Sequence, residues 1–172
     1  MDGYLLDTCF LSALLDARHD NYEASQRAND AIKSGEPRYV SRITIAELTF
    51  GFLLDEAATG RRHPKAAEIL RRAQEYKILE VTKHTATEYA NIRKKLAVTY
   101  LPALLRSQRP RWIDQWPDRV RQDTLQIDEN DLWICAQARE RNLVLLTSDR
   151  NMFDRFSKAD PGILFQVVPS RP

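Results

Sequence analysis

Tyr4-Leu5-Leu6-Asp7-Thr8-Cys9-Phe10-Leu11-Ser12-Ala13-Leu14-Leu15 changes its hydrophobic period once. Tyr4-Leu5-Leu6 is a short apolar run without a polar face, the pattern of a strand buried on both sides. Past Asp7-Thr8, the apolar residues Phe10, Leu11, Leu14 and Leu15 recur at helical spacing. A buried strand thus feeds a helix, and an acid stands at the junction.

The same order repeats along the chain. A helix is predicted from Tyr22 to Ser34, closed by Gly35 and Pro37. Arg38-Tyr39-Val40-Ser41 reads as a second strand. The helix after it is predicted from Thr44 to about Thr59, with Ile45, Leu48, Phe52 and Leu53 on its apolar face. His63-Pro64 opens a helix through Tyr76, and Ile78-Leu79-Glu80-Val81 is a third strand. The next helix runs from Thr85 to about Tyr100, with Tyr89, Ile92, Leu96 and either Val98 or Thr99 inward. A helix from Asp128 to Arg141, a strand from Leu143 to Thr147, a short helix from Asn151 to Ser157 and a strand from Ile163 to Val168 complete the order. Strands alternating with helices predict a parallel sheet covered on both faces.

One segment breaks the alternation. Leu101 to Thr124 holds Pro102, Pro110 and Pro117, five arginines, Trp112 and Trp116. It is too long for an ordinary connection and reads as an insertion at about 101–124. No repeat or linker divides the chain, and 172 residues suit one domain spanning 1–172, since domains run to roughly 100–200 residues.

Composition excludes several classes. Hydrophobic residues make up 43% and charged residues 29%, which allows a full core without disulfides or structural metal. Cys9 and Cys135 form no CxxC pair and have no His at ligand spacing, so they read as buried reduced thiols. The start of the chain lacks a basic leader pattern, and no apolar run approaches the roughly 20 residues of a membrane span. The expectation is a soluble, cytoplasmic protein. Net charge is only +2, but residues 1–60 carry five basic and ten acidic side chains, whereas 61–95 carry ten basic and four acidic. That split fits either an anionic partner or two solvated helix faces.

Four acids stand where chemistry is possible. In an open parallel sheet, ligands bind beyond the carboxyl ends of the strands. Asp7 and Asp149 each follow a strand, and each equally suits the cap of the next helix. Asp131 is the third residue of a helix capped by Asp128, where an acid also complements the helix dipole. Glu47 fits a capping box with Thr44, in Thr44-Ile45-Ala46-Glu47. As a set, they are candidates for one end of one sheet. Gathered carboxylates repel, so either their pKa values rise or a cation neutralises them. Oxygen donors alone suit Mg²⁺ or Mn²⁺, whereas zinc prefers His or Cys. His19, His63 and His84 are scattered, and neither a Gly-rich phosphate loop nor a nucleophile triad offers a rival site.

These residues resemble a known family. Leu5-Leu6-Asp7-Thr8 and Ile43-Thr44-Ile45-Ala46-Glu47-Leu48-Thr49-Phe50-Gly51 are similar to the opening of a PIN-domain protein. Asp131-Leu132-Trp133-Ile134-Cys135-Ala136-Gln137-Ala138 is similar to its third acidic motif. Leu145-Leu146-Thr147-Ser148-Asp149-Arg150-Asn151-Met152-Phe153 is similar to its fourth. The nearest likeness is to the VapC-type toxins of bacterial toxin–antitoxin pairs, and it covers nearly all the chain outside 101–124. The resemblance implies a three-layer α/β/α sandwich with a mainly parallel sheet, and an Mg²⁺- or Mn²⁺-dependent endoribonuclease. Asp7, Asp131 and Asp149 would be its direct metal ligands. Glu47 would complete the shell or position the attacking water, with Thr8 or Thr147 orienting a carboxylate or water. Water would attack a phosphodiester and leave a 5′-phosphate and a 3′-hydroxyl. A homodimer and a small antitoxin whose tail enters the groove are also implied. Two positions depart from the pattern: Cys9 replaces a common small polar residue, and the insertion's arginines and tryptophans offer either an RNA clamp or a lid. The alternative function is a non-catalytic PIN-like module that binds RNA or protein. A phosphorelay receiver is disfavoured, because the third strand ends in Glu80-Val81-Thr82 and no matching Lys follows the last strand.

Overall fold

The chain begins at the centre of its own sheet. In the computed structural model, which describes residues 2–105, 107, 109–118 and 121–169, β1 (Tyr4–Leu6) pairs in parallel with both β2 (Arg38–Ser41) and β6 (Val144–Thr147). β3 (Lys77–Leu79) and β7 (Leu164–Val167) flank them, and the five strands run in the order β3-β2-β1-β6-β7, all parallel.

Alternation along each strand sorts the core into two halves. Leu5 and Leu145 point into one cluster with Ile92, Leu96, Leu132 and Phe156. Leu6, Val40 and Leu146 point into the other with Phe10, Leu14, Ile45 and Ile69. The first half is closed by α5 (Lys83–Tyr100), α6 (Glu129–Glu140) and α7 (Arg150–Ala159). The second is closed by α1 (Thr8–Leu15), α2 (Tyr22–Ala31), α3 (Arg42–Thr59) and α4 (Ala66–Ala73). The result is a three-layer α/β/α sandwich, as the alternation of strands and helices predicts.

Several local expectations are corrected. α3 starts at Arg42, with Ser41 as its cap, rather than at Thr44: the last residue of β2 receives the Ile43 N–H at 2.9 Å, and no loop intervenes. α4 is shorter than predicted, because His63-Pro64 lies in the turn before it. On α5 the inward residues after Leu96 are Ala97 and Tyr100, while Val98 and Thr99 face solvent. Val98 lies about 200° around the helix from Leu96, so both cannot share a face. Leu53 of α3 is likewise exposed.

The described residues of 101–124 include several that fold against the main body. A 3₁₀ turn (Ile113–Gln115) leads into an antiparallel ribbon of β4 (Pro117–Asp118) and β5 (Asp123–Thr124). Trp116 is 1% exposed within the first cluster, and its indole N–H donates to the Pro110 carbonyl at 3.1 Å. Trp112 is 50% exposed. The two tryptophans therefore divide between the core and the surface. Buried Arg155 ties the ribbon to α7 through Asp118 at 3.7 Å and Asp123 at 3.2 Å. Of the five arginines, Arg106 and Arg119 lie outside the described residues.

Candidate active site

From β1 the chain moves outward through β2 to β3, while β6 and β7 fill the opposite side. The carboxyl ends of β1 and β6 therefore border the point where strand order reverses, where open α/β sheets form their binding crevice. Asp7 follows β1 immediately, and its N–H donates to the Leu146 carbonyl of β6 at 3.0 Å. Asp149 lies two residues beyond β6. The crevice there has a volume of about 380 Å³, and Asp7, Glu47, Asp131 and Asp149 all line it, with Thr8 and Cys9 between them. All four acids singled out in the sequence thus meet in one cleft.

Each carboxylate is held differently. Asp7 is 4% exposed. One of its oxygens caps α1 by accepting the Thr8 N–H at 2.8 Å, and the other accepts the Thr147 hydroxyl at 2.7 Å and the Cys9 thiol at 3.0 Å. Cys9 in turn accepts the Ser148 hydroxyl at 3.1 Å. The departure at Cys9 therefore leaves no gap, since a thiol makes the contact. Asp149 caps α7 by accepting the Met152 N–H at 3.0 Å. Asp131 and Asp128 form the capping box of α6, with Asp131 accepting the Asp128 N–H at 2.9 Å.

Glu47 departs from its sequence reading. Because Ser41 caps α3, the box with Thr44 does not form, and Glu47 lies well inside the helix. Its carboxylate instead accepts the Thr8 hydroxyl on one oxygen and the Asn130 amide at 2.9 Å on the other. Thr8 and Thr147 are therefore the donors that orient Glu47 and Asp7. Asn130, Ser12 and His19 were missed by sequence reasoning; the last two line the same cleft. Asn130 adjoins Asp131, which is a local signal, but its role depends on α3 and α6 lying side by side.

Burial and mutual repulsion dominate the electrostatics. Burial pushes the Asp7 carboxyl up, against the lowering effect of its Cys9, Thr147 and Thr8 hydrogen bonds, and the Asp149 charge adds to the rise. Asp131 is pushed up to about 8, first by burial and then by Asp128, with smaller contributions from Asp7 and Asp149. Glu47 is raised by burial, with Asp128 and Asp7 adding to it. Burial and the Asp7 charge raise the Cys9 thiol to about 12, so it stays protonated as a donor.

Among the described residues, no three His, Cys, Asp or Glu side chains stand in a ready-made metal-holding group. Asp7, Asp131 and Asp149 each commit one oxygen to a helix cap. The four acids nevertheless offer only hard oxygen donors, and among the described residues no lysine or arginine lines the cleft. That chemistry fits a divalent cation of the Mg²⁺ type.

Residues 4–159 match the sequence profile of the PIN domain family. The chain belongs to the PIN domain family. No curated protein sequence matches it. Solved structures similar to this PIN domain include VapBC-1 from nontypeable Haemophilus influenzae, with a TM-score of 0.62, 21% identity, and coverage of 95% of this chain and 96% of that one. VapBC-5 of Mycobacterium tuberculosis, a member of the VapBC family of toxin–antitoxin systems, gives 0.56 at 20% identity, covering 98% and 99%. VapC20 of Mycobacterium tuberculosis, a sarcin-ricin loop cleaving toxin, gives 0.53 at 14% identity, covering 88% and 94%. These PIN-domain likenesses are likenesses of fold. Among the described residues of this PIN domain, no helix is long and apolar enough to cross a membrane.

Proposed function

We propose that this PIN domain is a divalent-metal-dependent endoribonuclease, and that it serves as the toxin of a toxin–antitoxin pair. The observation that carries the proposal is the convergence of Asp7, Glu47, Asp131 and Asp149 in one cleft at the strand-order reversal. Asp7, Asp131 and Asp149 would hold Mg²⁺ or Mn²⁺, with Glu47 completing the shell or positioning water. The bound cation would stabilise charge on the phosphoryl group and lower the pKa of a water. Thr147 and Cys9 hold Asp7 in place, while Thr8 and Asn130 fix both oxygens of Glu47. Hydrolysis adds the water's hydroxyl to phosphorus and its proton to the departing 3′ oxygen. The products are a 5′-phosphate and a 3′-hydroxyl.

The fold neighbours supply the biological reading: VapC20 is a cleaving toxin and VapBC-5 belongs to a toxin–antitoxin system. By that likeness, a small antitoxin would occupy the cleft, and the chain would form a homodimer. The test is incubation of the pure protein with RNA and Mg²⁺ or Mn²⁺, beside an EDTA control and an Asp7→Asn variant. Cleavage in the first sample and its loss in both controls is the expected result. Cleavage that survives both controls removes the mechanism. RNA binding with no cleavage of a broad panel assigns the chain to the non-catalytic alternative.

A further inference from the structure

Beside the catalytic cleft lies a larger cavity of about 780 Å³, lined by Tyr89, Arg93, Arg109, Arg111, Trp112 and Glu129, with Pro110 between the arginines. Its floor is built from the main fold. Tyr89 of α5 stacks on Trp133 of α6 with ring centroids 4.1 Å apart, and its hydroxyl donates to Glu129 while receiving a hydrogen bond from Arg93. Arg93 is ion-paired to Glu129. Its rim comes from the insertion. There the Arg111 guanidinium lies 4.6 Å from the centre of the half-exposed Trp112 ring. Among the described residues, neither Arg109 nor Arg111 pairs with a carboxylate, so the cavity carries an excess of positive charge.

The cavity and the cleft share no lining residue, but they neighbour each other across the first turn of α6. Glu129 lines the cavity, Asn130 donates to Glu47, and Asp131 lines the cleft. A smaller hollow shares Trp112 and Glu129 with the cavity and is also lined by Asn130, the residue that donates to Glu47 of the cleft. Consecutive Cα atoms are about 3.8 Å apart, so a bound strand would pass from one to the other within a few nucleotides.

We propose that the cavity is a subsite for single-stranded RNA flanking the bond cleaved in the cleft, an inference that rests on the nuclease reading above. Arg109 and Arg111 take backbone phosphates, and Trp112 is a platform for an unpaired base. A cationic groove combined with an exposed aromatic face is the pairing that single strands use, because every base offers a π-face. An acidic peptide would satisfy the arginines but leave the indole in water. A duplex would hide its bases from the ring.

The experiment is fluorescence anisotropy of labelled polyuridylate and polyadenylate oligomers, with the full chain in an Asp7→Asn background that holds RNA intact. The double variant Arg109→Ala/Arg111→Ala is expected to weaken binding about tenfold and to reduce the dependence on salt by about one counterion per lost phosphate contact. Trp112→Ala is expected to weaken it about tenfold, with Trp112→Phe restoring most of the loss. With Asp7 intact, the same changes should raise KM more than they lower kcat. Unchanged RNA affinity in these variants overturns the subsite while leaving the nuclease reading standing. Retained RNA affinity with lost binding of poly-glutamate assigns the cavity to an acidic protein partner and also overturns it. Weakened RNA binding in the variants, from a chain that cleaves no RNA, upholds the subsite and removes the nuclease reading.

Discussion

At the scale of single residues, Asp131 shows how much charge the cleft lacks. Its carboxyl sits near 8 because burial and the neighbouring acids penalise ionisation. The folded value lies above the unfolded one, so between about pH 4 and pH 8 the folded chain holds a proton that the unfolded chain has released. Stability from this group is therefore present at low pH and is lost as pH rises through that window. In buffer with EDTA, Asp131→Asn should be close to wild type at pH 5 and more stable at pH 8.5. One proton held over about three pH units sets a ceiling of about 4 kcal/mol on the gain, which raises Tm by several degrees. Thermal melts across pH decide it: a variant with the same pH slope as the wild type would remove the electrostatic account. Asp7, Asp131 and Asp149 were legible as dual candidates because strand ends and first helical turns are visible in sequence, and the structure shows each in a cap as well as in the cleft. The donors Cys9 and Asn130 were not, since hydrogen-bond partners distant in sequence leave no periodic trace.

At the scale of elements, α3 is the instructive case. Thr44-Ile45-Ala46-Glu47 satisfies the capping-box pattern, yet the helix begins two residues earlier because Ser41 is both the last strand residue and the cap. Local pattern alone cannot choose between two hydroxyl residues, Ser41 and Thr44, three positions apart at a helix start. The consequence is measurable by urea unfolding in EDTA. Ser41→Ala should cost about 1 kcal/mol, the usual value of a cap. Glu47→Ala should cost less or stabilise, because it removes a partly buried carboxylate rather than a cap. Equal losses would restore the box. Most other elements were legible to within a few residues, since β1 and β6 are short apolar runs and α5 keeps its stripe through Ile92, Leu96 and Tyr100. The strand order was not, because periodicity identifies strands but carries no information on which lie side by side.

At the scale of the molecule, the basic stretch 61–95 does not act as one surface. Arg71 pairs with Glu68 and Glu75, Arg62 with Glu56, Arg93 with Glu129 and Lys95 with Asp160, so four of its ten cations are spent on carboxylates. Among the described residues, the cations lining the neighbouring cavity without a carboxylate partner, Arg109 and Arg111, belong to the insertion. That segment is also part of the core. Trp116→Ala should destabilise the chain by about 3–5 kcal/mol, the range for a buried aromatic. Trp112→Ala should stay within about 0.5 kcal/mol of wild type, as surface changes do. Chemical denaturation of both variants tests the division, and similar losses would place both rings inside.

The caps formed by Asp7, Asp131 and Asp149 have one more consequence. Their partners are the backbone amides of Thr8, Asp128 and Met152. On the proposed reading, an ion entering the cleft redirects carboxylate oxygens toward itself and loosens all three bonds together. In a ¹H–¹⁵N spectrum titrated with Mg²⁺, those three signals should shift along one binding curve, while Ile43, capped by the Ser41 hydroxyl, stays still. Three scattered midpoints, or an Ile43 signal that moves equally, would point away from a shared ion. The cleft thus carries its own spectroscopic reporters, readable before any substrate is known.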